Sequence, residues 1–180
     1  MRKKEGLIVL IIVALISMGG YYVSKNAVKV KTVFPPGKPI LNDSDFAVKI
    51  TGGDLVIGQT DLTEAKKLLP DGKDLGMSTV YRSNSPECIL TFNKKQTQLK
   101  QLHLLSDDLV TSRGIKVGDP FSKVVAAYGK NYIFTGKALN AADFEAIYQR
   151  DNHHSVIFKV KNNKVFTIVL HEDTRPRPGT

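Results

Sequence analysis

The chain has 180 residues, with 26 Lys and Arg against 17 Asp and Glu, and a formal net charge of +9. An apolar fraction of 42% excludes disorder for the bulk of it, and the length suits one domain or two small similar units. Cys88 is the only cysteine, so an internal disulfide is excluded and the folded part must stand on a hydrophobic core.

Leu7 to Val23 reads LIVLIIVALISMGGYYV and contains no charge. As a helix it would span about 26 Å, close to the lower limit for a bilayer core of about 30 Å. Arg2, Lys3 and Lys4 precede it, as in an export signal. The pattern predicts a cytoplasmic N-terminus over residues 1–6 and a transmembrane signal anchor over 7–23. The expected location is a single-pass cell-membrane protein with an extracytoplasmic C-terminal domain. The competing reading is a cleaved signal peptide and a secreted protein, with Ser17-Met18-Gly19 as a weak cleavage site. Tyr21 and Tyr22 suit a membrane interface and favour the anchor. The expected partners are the lipid bilayer, through residues 7–23, and another envelope protein or an anionic envelope polymer. That compartment argues against nucleic acid, which the positive charge alone would suggest.

Residues 24–45 read as a linker. Val28-Lys29-Val30-Lys31 alternates, and Phe34-Pro35-Pro36-Gly37-Lys38-Pro39 forces a stiff, extended path.

Two similar units follow, over 46–104 and 105–172, with a disordered tail over 173–180. In the first, Leu55-Val56-Ile57-Gly58 leads into a helix that buries Leu62, Ala65, Leu68 and Leu69 on one face. In the second, Ile115-Lys116-Val117-Gly118 leads into a helix that buries Phe121, Val124, Val125 and Tyr128. Thr60 or Asp61, and Asp119 before Pro120, are start signals, and Pro70 and Gly129 are stop signals. Strand patterns come next. Tyr81-Arg82 turns through Ser83 to Pro86 into Cys88 to Phe92, and Tyr148 to Arg150 turns into Val156 to Val160. Asn93 to Gln96 then leads to Leu99 to Leu104, and Lys161 to Lys164 leads to Val165 to Leu170, the Asn-Asn pair suiting a positive-φ turn. Asn140 with Asp143 resembles a helix start, but the repeat makes Phe144 to Tyr148 a strand. The predicted fold is α+β: an N-terminal single transmembrane helix, then two similar units, each a short helical segment packed on a small antiparallel sheet.

Gly58, Leu62, Ala65 and Leu68, matched by Gly118, Val124, Tyr128 and Gly129, carry a resemblance over roughly residues 46–172. The pattern resembles the tandem fold of the β-lactamase-inhibitor protein and the SmpA/OmlA (BamE-like) outer-membrane lipoproteins. It also fits anchored envelope proteins of Gram-positive type with a segment like Gly114 to Asp119. The resemblance implies a non-catalytic binding scaffold with a concave sheet. The lipoproteins begin at an acylated cysteine and the inhibitor fold carries disulfides. This chain has neither, so assembly-machine membership and β-lactamase inhibition do not transfer.

No nucleophile elbow, phosphate-binding glycine loop or His-Glu-x-x-His motif occurs. His153 and His154 are adjacent and on a strand would point to opposite faces, so no metal site is assigned and no cofactor is expected. The candidate binding residues are Tyr81, Arg82, Tyr148 and Arg150, on an exposed sheet face. Gly58 and Gly118 are structural, each letting a strand turn sharply into a helix. The expected function is a membrane-anchored, extracytoplasmic, non-catalytic binding module of the bacterial envelope, not an enzyme. Two alternatives stand beside it. One is a secreted inhibitor-like protein that uses the segment Leu105 to Gly114. The other is a metal-dependent envelope enzyme built on His103, His153, His154 and His171.

Overall fold

A computed structural model describes residues 41–76, 79–136 and 142–173. The described chain starts with a 3-10 turn, Asp43–Phe46, closed by a capping box between Asn42 and Asp45. A hairpin follows, β1 (Ala47–Ile50) with β2 (Gly53–Val56). Helix α1 (Leu62–Leu68) starts where Asp61 accepts the amide of Glu64. Strands β3 (Lys73–Asp74), β4 (Val80–Asn84), β5 (Glu87–Phe92) and β6 (Leu99–Leu104) come next. Helix α2 (Phe121–Tyr128) begins after Pro120 and stops at Gly129, whose φ is +89°. Strands β7 (Ile133–Gly136), β8 (Phe144–Gln149), β9 (His154–Lys161) and β10 (Lys164–Glu172) follow among the described residues. The β9–β10 turn places Asn162 and Asn163 at φ of +50° and +59°.

All strands after the first hairpin join one antiparallel sheet of eight, in the order β3-β4-β5-β6-β10-β9-β8-β7. The order is symmetric about the β6–β10 seam, where Leu104 faces Ile168 and Leu102 faces Leu170. Two four-stranded halves meet there edge to edge. The same backbone bonds recur in both. Gly58 N–H donates to Leu99 O and Gly118 N–H to Val165 O, both at 2.7 Å. Leu99 N–H donates to Thr60 O at 2.8 Å and Val165 N–H to Asp119 O at 2.9 Å. Each glycine, at φ of +81° and +90°, bends the entry to its helix onto the last strand of its own half.

One face of the sheet carries the core. Tyr81, Leu90, Leu102, Leu170, Val156 and Tyr148 lie on it strand by strand and are buried. They join one cluster with Val48 and Leu55 of the hairpin, Leu62 and Ala65 of α1, and Val124 and Tyr128 of α2. Helices and hairpin therefore cover the same side.

The expected fold class is corrected. The sequence suggested separate units, each with a small sheet of its own. The apolar edges of β6 and β10 instead pair with each other and bury the seam, giving one sheet across both repeats. Residues 41–45, expected in the linker, belong to the fold: Leu41 and Asp45 are buried. No helix among the described residues is long and apolar enough to cross a membrane. Residues 1–23, which carried the expected N-terminal region and anchor, lie outside the described residues, as do 174–180 of the expected tail. With no spanning helix among the described residues, the single-pass membrane location and the transmembrane and signal-anchor readings are not carried forward.

Candidate functional site: the helix-free face of the sheet

Strand alternation sends every second side chain to the face away from the helices. Register lines these residues up into rows. The central row runs Arg82, Ile89, His103, Val169, Ile157, Ile147 and Ile133, from β4 to β7. Most are half-buried by their neighbours, and Val169 at the seam is buried. Val169 is the one buried apolar residue among those described that lies outside the helix-side cluster. A polar row flanks it: Thr91, Gln101, His171, Ser155 and Gln149. On the other flank Thr167, Lys159, Glu145 and Thr135 face one another.

Two ion pairs form on this face, while Lys73, in register with Arg82, and Lys161, beyond Lys159, have no ion pair among the described residues. Arg82 donates to Glu87 at 2.6 Å, and Lys159 lies 3.3 Å from Glu145 directly across the strands. His103 sits in the apolar row. Burial, then the charges of Lys159 and His171, push its pKa below the usual imidazole value. It is neutral at neutral pH, so the row holds no charge between Ile89 and Ile133.

The four expected binding residues are not brought together. Tyr81 and Tyr148 lie on the helix side and are buried. The Tyr81 hydroxyl donates to Leu69 O at 2.6 Å, and the Tyr148 hydroxyl donates to Gly129 O at 2.8 Å. Burial raises both pKa values, so both remain donors. Arg82 alone belongs to the helix-free face. Arg150 sits past the end of β8, stacked 4.8 Å over Phe46 and paired with Asp43 and Asp151. Alternation in the sequence identified two sets of residues per strand but not which set met the helices.

Other groups resolve simply. Among the described residues no group of three or more His, Cys, Asp or Glu side chains could hold a metal ion. His154 contacts Asp151 at 2.9 Å and packs edge-on against Phe46. His103 and His171 are on the helix-free face, while the His153 ring contacts Asp173 O at 2.7 Å. Cys88 is fully buried opposite Leu104, and burial pushes its thiol up to about 11. A thiol held protonated is no nucleophile.

No protein-family model matches the chain, and no curated protein matches it. One solved structure, a DUF4309 family protein (YjgB) from Bacillus subtilis subsp. subtilis str. 168, is similar at 11% identity. That match covers 68% of this chain and 84% of that one, with a TM-score of 0.46. Likeness at that level carries no argument about fold or function.

Proposed function

We propose that the protein is a non-catalytic binding module whose partner, another protein, lies across the helix-free face of the sheet. One observation carries this: an uncharged apolar row crossing six strands, flanked by polar rows whose charges are already paired. Contiguous apolar surface rimmed by polar groups is the usual composition of a protein interface. An anionic polymer would need a run of unpaired cations along its path; Arg82 and Lys159 have acidic partners, and the unpaired Lys73 and Lys161 lie only at the margins of the face. The resemblance to the tandem inhibitor fold, which implies a binding scaffold with a concave sheet, supports the same reading.

The test is site-specific photo-crosslinking in the source cells. A photoreactive residue at Ile157 gives a discrete protein adduct, and one at Lys66 on the helix side does not. Equal adducts at both positions, or none at Ile157, would overturn the reading. Adducts that vanish in high salt would favour the polymer instead.

A further inference from the structure

We infer that the outer edge of β1 is a second binding site, which takes an extended segment of a partner polypeptide by adding it as a strand. The site lies outside the helix-free face and does not depend on the reading given to that face.

Among the described residues the β1–β2 hairpin forms a sheet of two strands, so each has an edge with no described strand beside it. Along β1, the Ala47 N–H turns back to Ser44 O. Among the described residues, no backbone bond beyond the hairpin reaches Lys49, Ile50 or Thr51. Main-chain donors and acceptors on such an edge are a template for an incoming strand.

A groove runs beside that edge. Two cavities of about 670 Å³ each lie along it, and Lys49 and Asp108 line both. The opposite wall is Asp108 to Ser112. Leu109 and Thr111 turn inward and are buried, while Asp108, Val110 and Ser112 stay exposed. β1 alternates in the same way, with Val48 buried and Lys49 exposed. Two walls with period-two side chains thus flank the channel, which matches the pleat of a third strand. The far wall is held by a buried ion pair. Arg113 donates to both oxygens of Asp45 at 2.7 Å, and Ser112 donates to the same carboxylate at 3.1 Å.

Charge selects the occupant. Lys49 has no ion pair among the described residues, and Asp108 accepts only the Ser106 hydroxyl. The two line the same groove without meeting within 4.0 Å. A lysine on an open edge repels indiscriminate strand pairing. A segment that carries a carboxylate toward Lys49 and a cation toward Asp108 satisfies both. Val110, 41% exposed, offers an apolar contact on the same wall. The partner is therefore an extended peptide with one acidic, one basic and one apolar side chain, held chiefly through its backbone.

The probe is a displayed library of random heptapeptides panned against the full chain, with enriched sequences synthesised and titrated by amide chemical shift. Enriched peptides share an acidic and a basic residue and shift the amides of 49–51 and 108–112. The double variant Lys49→Glu, Asp108→Lys weakens the original peptide by about ten-fold or more and selects peptides with the charges exchanged. N-methylating the edge-facing amides of the peptide abolishes binding to the unaltered protein, an arm that needs no variant to fold. No enrichment, shifts confined to other residues, or binding indifferent to both charge reversal and N-methylation overturns the inference. A concentration-dependent dimer lost on charge reversal would put a second copy in the groove and overturn the partner assignment.

Discussion

The hydroxyl of Tyr81 donates to the carbonyl of Leu69, the residue that caps the C-terminus of α1. Tyr148 makes the corresponding bond to Gly129, the cap of α2. Helix ends leave carbonyls without intrahelical partners, and here each half of the sheet supplies one donor to its own helix. The tyrosines thereby fix the distance between helix and sheet twice over. Removing the Tyr81 hydroxyl leaves Leu69 O with the longer bond from the Gly72 amide, and removing the Tyr148 hydroxyl leaves the carbonyl of exposed Gly129 to solvent. Tyr81→Phe and Tyr148→Phe are each expected to lower stability by about 1–2 kcal/mol, read from urea unfolding. A change in neither variant would show that water replaces both bonds.

Asp45 is buried with its carboxylate held by Arg113, Ser112 and the amide of Asn42. Arg113 also donates to Ala127 O and lies 4.5 Å over the ring of Tyr128. The bond to Asp45 raises the guanidinium pKa further, so Arg113 stays charged. Asp45→Ala strands that charge and should cost about 3 kcal/mol or more in urea unfolding. Asp45→Leu with Arg113→Met should cost less than the sum of the single changes, because neither charge is then left alone.

Asp151 ties the β8–β9 turn. Burial pushes its carboxyl pKa up, but the amides of His153 and His154, the His154 ring and Arg150 outweigh this and hold it well below the usual carboxylate range. Asp119 is lowered in the same manner, burial being outweighed by Lys123 and the Lys116 amide. A depressed folded-state pKa gives stability that is present above the unfolded value, near pH 4, and is lost as pH falls through the folded one. Asp151→Asn should therefore be less stable than the parent at about pH 5.5, with the gap starting to narrow below about pH 4 and closing only as pH falls through the depressed folded-state value. A gap that stays constant would show that the turn gains nothing from the ionised form.

Cys88 is buried and its thiol is raised to about 11. The folded protein should resist Ellman's reagent at about pH 8 and react stoichiometrically once unfolded in guanidinium. Fast labelling of the folded chain would mean that β5 opens locally.

Much of the local structure was legible in the sequence. The caps at Asp61 and Gly129, the Asn162-Asn163 turn and the strand over Phe144–Gln149 follow from chain-local chemistry: a side-chain acceptor, a positive φ and a period of two. The repeat itself was visible at Gly58 and Gly118, because each must turn a strand into a helix. The candidate face was not legible. Tyr81 and Arg82 are neighbours on one strand and go to opposite sides, and only contact with the helices decides which side is core.

The sequence by itself determined the spacing of elements, the places where helices start and stop, and dependence on a hydrophobic core with one inert thiol. Only the tertiary structure decided that the two repeats share a single sheet, that Ile89, Val169, Ile157 and Ile147 face away from the helices, and that no described strand pairs with the outer edge of β1. Those features depend on pairings between residues far apart in the chain, such as Leu102 with Leu170. No local pattern records which strand edge will meet which.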